Sequence, residues 1–155
     1  MKNPSKHNIK GILREVKGDV TLPQAASLRY IVQVVNSDGE YNAKSGEALA
    51  SRWPKVKSEY RQLWRERYGK LRFGDIQIIQ VLSDLVVINM IAEIDGKTDG
   101  ESLKACLAKV GAEVSDHNAS VHIARTSCGA WDDVKDIIDE QLIQRTIDVT
   151  VYDSE

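Results

Sequence analysis

Two stretches of this chain, Leu28–Val35 (LRYIVQVV) and Leu85–Ile91 (LVVINMI), are almost unbroken apolar runs of strand length, rich in β-branched residues. A strand with one wet face alternates polar and apolar residues, whereas one covered on both faces does not. The chain must therefore supply cover for two sides of a sheet. Four weaker strand signals accompany these runs. Ile9, Ile12, Leu13 and Val16 form an early pattern closed by Lys17-Gly18-Asp19. Ile76–Val81 is separated from Leu85 by Leu82-Ser83-Asp84, which predicts a hairpin. Ala119–Ala124 and Thr146–Tyr152 complete a set of six.

Helical patterns supply the cover. Ala48–Arg52 is stopped by Trp53-Pro54, and Lys55 to about Tyr68 carries Val56, Tyr60, Leu63 and Trp64 near one face. Leu103, Cys106, Leu107, Val110 and Val114 recur at helical spacing, as do Trp131, Val134, Ile137, Ile138 and Leu142. The order ββααββαβαβ predicts one three-layer α/β/α domain over residues 1–155, built on a mixed sheet of about six strands.

Composition narrows the setting. A hydrophobic content of 42% with 28% charged residues excludes disordered, collagen-like and coiled-coil classes. No apolar run reaches the ~18–20 residues of a membrane span. The first residues, Met1-Lys2-Asn3-Pro4-Ser5-Lys6, lead into no apolar stretch of a secretory signal. Cys106 and Cys128 lack metal-site spacing. A cytoplasmic protein without metal or cofactor, working as a monomer, is the expectation. The net charge of −2, from 21 Lys+Arg against 23 Asp+Glu, argues against a broad nucleic-acid footprint but leaves room for a local basic patch.

In α/β sheets ligands sit beyond the carboxyl ends of strands, at loops leading into helices. Two loops qualify. Asn36–Gly46 (NSDGEYNAKSG) combines small residues, two glycines and a lysine between a buried strand and a helix. It reads as an anion cradle, since amides at a helix start point toward phosphate, or as an ordinary connection; it is neither a Walker loop nor a dinucleotide fingerprint. Arg125–Trp131 (RTSCGAW) precedes the last helix. Cys128 there is a nucleophile candidate near a helix start, or simply a small residue.

These loops and their flanks resemble the macro domain, a family of ADP-ribose-binding modules. The matching stretches are Val16-Lys17-Gly18-Asp19-Val20-Thr21, Val34-Val35-Asn36-Ser37-Asp38-Gly39, Arg52-Trp53-Pro54, Gly74-Asp75-Ile76, Ile88-Asn89-Met90-Ile91-Ala92, Ala119-Ser120-Val121-His122 and the closing Val149-Thr150-Val151-Tyr152. They cover nearly the whole chain in order and look nearest to the stand-alone branch of terminal ADP-ribose glycohydrolases and ADP-ribose-1″-phosphate phosphatases. The resemblance implies that Asp19 accepts a hydrogen bond from the adenine amino group, with Val20 beside the base. It places Asn36 near the distal ribose, and Asn36 with Asp38 as the candidates for holding a reacting water. Gly39, Tyr41, Asn42, Ala43, Lys44, Ser45 and Gly46 would run along the diphosphate, and Ser127, Cys128, Gly129 and Ala130 would close over it.

Three departures bear on activity. Asn42-Ala43-Lys44 stands where the family usually has Gly-Ala-Gly; Lys44 fills space that glycine leaves open, or supplies a point charge to phosphate. The second loop is about four residues short, and the missing part carries the catalytic aspartate of the glycohydrolase branch. No lysine occupies Asn89–Glu93, where that branch has its reactive amine.

Plainer readings stand beside these. Asp19 and Asn36 are also ordinary turn residues, His122 reads as a core or surface histidine before an acid–base group, and Trp53 and Trp131 as core anchors. His7 and His117 carry little signal. Lys55–Arg72, with seven Lys/Arg plus Trp and Tyr, resembles a nucleic-acid patch, but Glu59 and Glu66 interleave as on a solvated helix face. The leading expectation is a binder of ADP-ribose or a derivative. The alternatives are a hydrolase that frees ADP-ribose from a modified macromolecule or dephosphorylates ADP-ribose-1″-phosphate, and a remodelled site for another nucleotide, RNA or a protein.

Overall fold

The computed structural model describes residues 10–25, 27–41, 46–127 and 129–154. In chain order these give β1 (Leu13–Lys17), β2 (Leu28–Val35), α1 (Gly46–Arg52), α2 (Lys55–Glu66), β3 (Ile76–Leu82), β4 (Leu85–Ile91), β5 (Glu93–Ile94), β6 (Lys97–Thr98), α3 (Gly100–Ser115), β7 (Ala119–Ala124), α4 (Trp131–Gln141) and β8 (Val149–Asp153). Six strands form one sheet in the order β1-β8-β7-β2-β4-β3. Every neighbouring pair is parallel except β3–β4, the expected hairpin, so the sheet is mixed.

Alternation along the central strands divides the core in two. Tyr30, Val32 and Val34 of β2 with Val86, Ile88 and Met90 of β4 face α3 and α4. Ile31 and Val35 with Val87 and Ile91 face the other way, onto Leu49 of α1 and Val56 and Tyr60 of α2. Both faces are covered, so β4 is buried at every position, as its unbroken apolar run requires. The architecture is the three-layer α/β/α arrangement with a mixed six-stranded sheet.

The boundaries differ from the sequence reading where backbone chemistry intervenes. Helix α2 stops at Glu66, short of Tyr68, because Tyr68 turns left-handed at φ 53° and the Gly69 amide bonds back to the Trp64 carbonyl. Helix α1 begins two residues early, at Gly46 rather than Ala48. Strand β8 begins at Val149 rather than Thr146, since Thr146 is left-handed and Ile147 donates to the Leu142 carbonyl, closing a turn. The first strand begins at Leu13, and Ile9 lies outside the described residues. Trp53 and Trp131 are only half-buried; each packs at a core edge beneath an arginine, Arg52 at 5.7 Å and Arg125 at 4.8 Å. The small β5–β6 hairpin has no counterpart in the apolar pattern, because each strand is two residues long.

Candidate functional site

The five parallel strands end on one edge of the sheet, at Lys17, Asp153, Ala124, Val35 and Ile91. From β2 the chain crosses through α1 and α2 to β3 and β4; from β7 it crosses through α4, on the opposite face, to β8. Adjacent parallel strands whose connections depart in opposite directions make a topological switch point, where a crevice opens in α/β sheets. The loops after β2 and β7 flank it. Those are the two loops singled out from sequence, and the turn after β1 and the β5–β6 hairpin extend the same edge on either side.

The loop after β2 is held by two tyrosines. The Tyr60 hydroxyl lies 2.6 Å from Asn36 Oδ1 and 2.7 Å from the Asn36 carbonyl, and accepts from the Gly39 amide at 3.1 Å. Burial first, then the nearby carboxylates of Asp38, Glu93 and Glu40, pushes the Tyr60 hydroxyl up to about 12, so it stays a donor. Tyr41, left-handed at φ 53° and 1% exposed, turns its ring into the core, where its hydroxyl accepts from Gln33 Nε2 at 2.5 Å. Gln33 continues to Asn89 at 2.7 Å, Asn89 to Gln77 at 3.1 Å, and Gln77 to the Glu59 carbonyl of α2 at 2.9 Å. This amide ladder crosses β2, β4 and β3 in register and ties the loop to the helix beneath it.

Asp38 is exposed, and its Oδ1 accepts from the Glu40 amide at 2.9 Å. Gly39 sits at φ 85° against the Trp64 indole, where a Cβ would come within 2.7 Å of the ring. Gly46 is buried as the first residue of α1. Asn42, Ala43, Lys44, Ser45 and Cys128 lie outside the described residues.

At the β1 end, Asp19 is exposed with Oδ1 accepting from the Thr21 amide at 2.9 Å and hydroxyl at 2.7 Å, while Val20 is buried beside it. Asp19 caps its own turn and also lines a cleft of about 290 Å³ with Arg14, Leu22, Gln24 and Tyr152. The Tyr152 hydroxyl accepts from the Gln24 amide and meets His122 Nδ1 at 2.8 Å; Ser120 holds the other ring nitrogen at 2.7 Å. Burial, and then Arg29, push His122 down to about 4, so it is a neutral core residue.

Beyond β7, a second cleft of about 280 Å³ is lined by Glu93, Lys97, Thr98, Ser127, Gly129 and Ala130, among others. Gly129, at φ 76°, packs on Thr98 so closely that a Cβ would lie 3.1 Å from it. Ala130 provides no side-chain cap for α4. The structure thus brings Ser127, Gly129 and Ala130 together with three residues that the sequence reading does not single out: Glu93, Lys97 and Thr98. Asp95-Gly96, with φ of 51° and 78°, is the signal that finds them, because this dipeptide favours a tight two-residue hairpin turn. Among the described residues no group of three or more His, Cys, Asp or Glu is placed to hold a metal.

No protein-family model and no curated protein matches this chain. Solved structures do. A protein from Bacteroides thetaiotaomicron is 31% identical over 91% of this chain and 99% of its own, with a TM-score of 0.82. Thermosipho africanus DarTG, solved in complex with ADP-ribose, shares the fold at 14% identity and a TM-score of 0.70, over 94% of this chain and 43% of that one. A macrodomain protein from Streptomyces coelicolor is 30% identical over 90% of this chain and 97% of its own, with a TM-score of 0.82. With a macrodomain relative of that identity aligned along nearly its whole length at that TM-score, this chain belongs to the macrodomain family.

Proposed function

We propose that this macrodomain binds ADP-ribose or an ADP-ribose derivative along the carboxyl edge of its sheet, with adenine at the β1 end and the distal ribose near β2. The observation that carries the reading is the spread of the edge loops. Asp19 follows β1, Asn36 follows β2 three strands away, and Glu93 follows β4 four strands away. At ~4.8 Å per strand that is roughly 14–19 Å, the reach of an extended nucleotide-diphosphate-sugar rather than of a mononucleotide. Asp19 Oδ1 is occupied by Thr21, which leaves Oδ2 for an exocyclic amino group. The Tyr60 bond to Asn36 Oδ1 leaves the amide NH2 of Asn36 as the donor for a ribose hydroxyl. Neighbouring DarTG in its ADP-ribose complex supports the choice of ligand. Calorimetry with ADP-ribose tests it: binding is expected, weakened by about 1.5–3 kcal/mol in Asp19→Ala, the range for a hydrogen bond to a charged group. Absence of heat at millimolar ligand rejects the reading.

The hydrolase alternative rests on the second cleft, where Glu93 and Lys97 join Ser127 next to the proposed ribose end. Asn36 with Asp38, in the loop after β2, would position the water, and catalysis would come from placement. Release of ADP-ribose from a modified macromolecule, or of phosphate from ADP-ribose-1″-phosphate, is the assay; turnover unchanged in Asn36→Ala rejects this assignment.

A further inference from the structure

We propose that the outer face of α2 and the turn that follows it bind single-stranded nucleic acid. The segment 61–72 holds five cations, Arg61, Arg65, Arg67, Lys70 and Arg72, against one acid, Glu66. All five are exposed, and none makes an ion pair with a described residue. Of the nearby acids, Glu59 pairs with Lys55 at 3.7 Å and Asp75 with Lys109 at 2.8 Å, while Glu66 accepts from the neutral Gln62 at 3.2 Å and keeps its charge, so the segment carries a net +4. Arg61 and Arg65 are one helical turn apart, about 6 Å along the axis. Arg67, Lys70 and Arg72 continue the basic line around the helix end, into a cleft of about 170 Å³.

The second observation is aromatic. Tyr68 is 90% exposed, and a left-handed backbone at φ 53° holds it in the middle of these cations. The bonds that close α2, from the Tyr68 amide to the Arg65 carbonyl and from the Gly69 amide to the Trp64 carbonyl, hold this uncommon backbone and leave the ring in solvent. Phe73, at 45% exposure, ends the same segment. An exposed ring among arginines is a platform for an unstacked base, with the cations tracking the phosphates. Four of the five cations are arginines, whose planar fork pairs phosphate and stacks on bases, a bias that favours nucleic acid over an anionic lipid surface. The strip adjoins the carboxyl-edge crevice through one side chain: the Trp64 indole contacts Gly39 of the crevice loop and Gly69 of the Tyr68 turn.

Fluorescence anisotropy with labelled 20-nucleotide dT and rU strands, the matching duplex, and phosphatidylserine vesicles tests this surface on the full chain. Both single strands are expected to bind, more tightly than the duplex. With about five phosphate contacts at a log–log slope of roughly −0.7 each, affinity falls roughly 100-fold between 50 and 200 mM salt. Arg61→Glu with Arg65→Glu is expected to weaken binding more than tenfold and flatten the slope while leaving the heat of ADP-ribose binding unchanged. Tyr68→Ala is expected to lose at least about fivefold, and Tyr68→Phe to retain binding. Undiminished affinity in the charge-reversal variant, a preference for duplex, binding to vesicles without binding to oligonucleotide, or displacement of the strand by ADP-ribose would each overturn the assignment. These outcomes are separate from the ADP-ribose reading, because the strip does not include Asp19 or Asn36.

Discussion

Tyr60 does more than fill the core. Its ring packs 5.5 Å from Tyr41, and its hydroxyl fixes which end of the Asn36 amide is the donor. Removing that oxygen in Tyr60→Phe keeps the apolar packing but leaves the buried Asn36 acceptors and the Gly39 amide unpaired. The expected cost is about 1–3 kcal/mol in urea unfolding, together with weaker ADP-ribose binding, because the Asn36 amide is then free to turn over. His122 yields a prediction of a different kind. Held at about 4 in the fold, against ~6.5 when unfolded, it takes up a proton more readily in the unfolded chain. The stability tied to its neutral form is complete above ~6.5 and is lost as pH falls through the folded value near 4. Between pH 7 and 4 this amounts to about 2–3 kcal/mol. His122→Gln, which can hydrogen-bond but not titrate, should unfold with a shallower pH dependence over that interval. Parallel wild-type and variant curves would show that His122 contributes none of it.

Among the elements, α3 and α4 cross where Gly111 allows it. Intrinsic propensity favours alanine over glycine in a helix by about 1 kcal/mol, so Gly111→Ala would stabilise an isolated helix. Here a Cβ would sit 2.8 Å from the Gln141 carbonyl, a backbone atom at the end of α4, and 3.0 Å from Arg145. Backbone cannot swing aside as a flexible side chain can, so overpacking wins. A net loss of about 1–3 kcal/mol is expected in thermal or urea unfolding, and a stabilised variant would show that the helices part at little cost. The same contrast explains what was legible in the sequence. Strands β2 and β4 announce themselves as unbroken apolar runs because both of their faces are buried, and helices α3 and α4 because burial of one face imposes a helical period. The β5–β6 hairpin does not: two residues per strand are too few for a period, and only Asp95-Gly96 marks it. Yet that hairpin brings Glu93, Lys97 and Thr98 to the second cleft. Asn36 and Asp19 are visible as turn residues, but their placement on one edge follows from strand order, β1 beside β8 and β7 beside β2, which no local pattern encodes. Tyr41 shows the reverse limit: its position in a phosphate-type loop suggests ligand contact, while the partner that turns its ring inward, Gln33, is a polar residue inside an apolar run.

At the scale of the whole molecule, the net charge of −2 says little about local surface, since backbone amides and single side chains shape the crevice and five exposed cations cluster along 61–72. The crevice itself makes a quantitative demand. If one ligand bridges Asp19 and Asn36, which follow strands three apart, roughly 14 Å, the two contacts share no partner and should act independently. Losses from well-separated sites add to within about 0.3–0.5 kcal/mol. The free-energy loss of Asp19→Ala with Asn36→Ala should therefore equal the sum of the single losses when ADP-ribose is titrated. Adenosine monophosphate, which reaches only the adenine half, should respond to Asp19→Ala and ignore Asn36→Ala. Ribose-5-phosphate should show the opposite pattern. A monophosphate that feels both substitutions would place Asp19 and Asn36 around one compact site, and the extended pose along the sheet edge would be wrong even though ADP-ribose still bound.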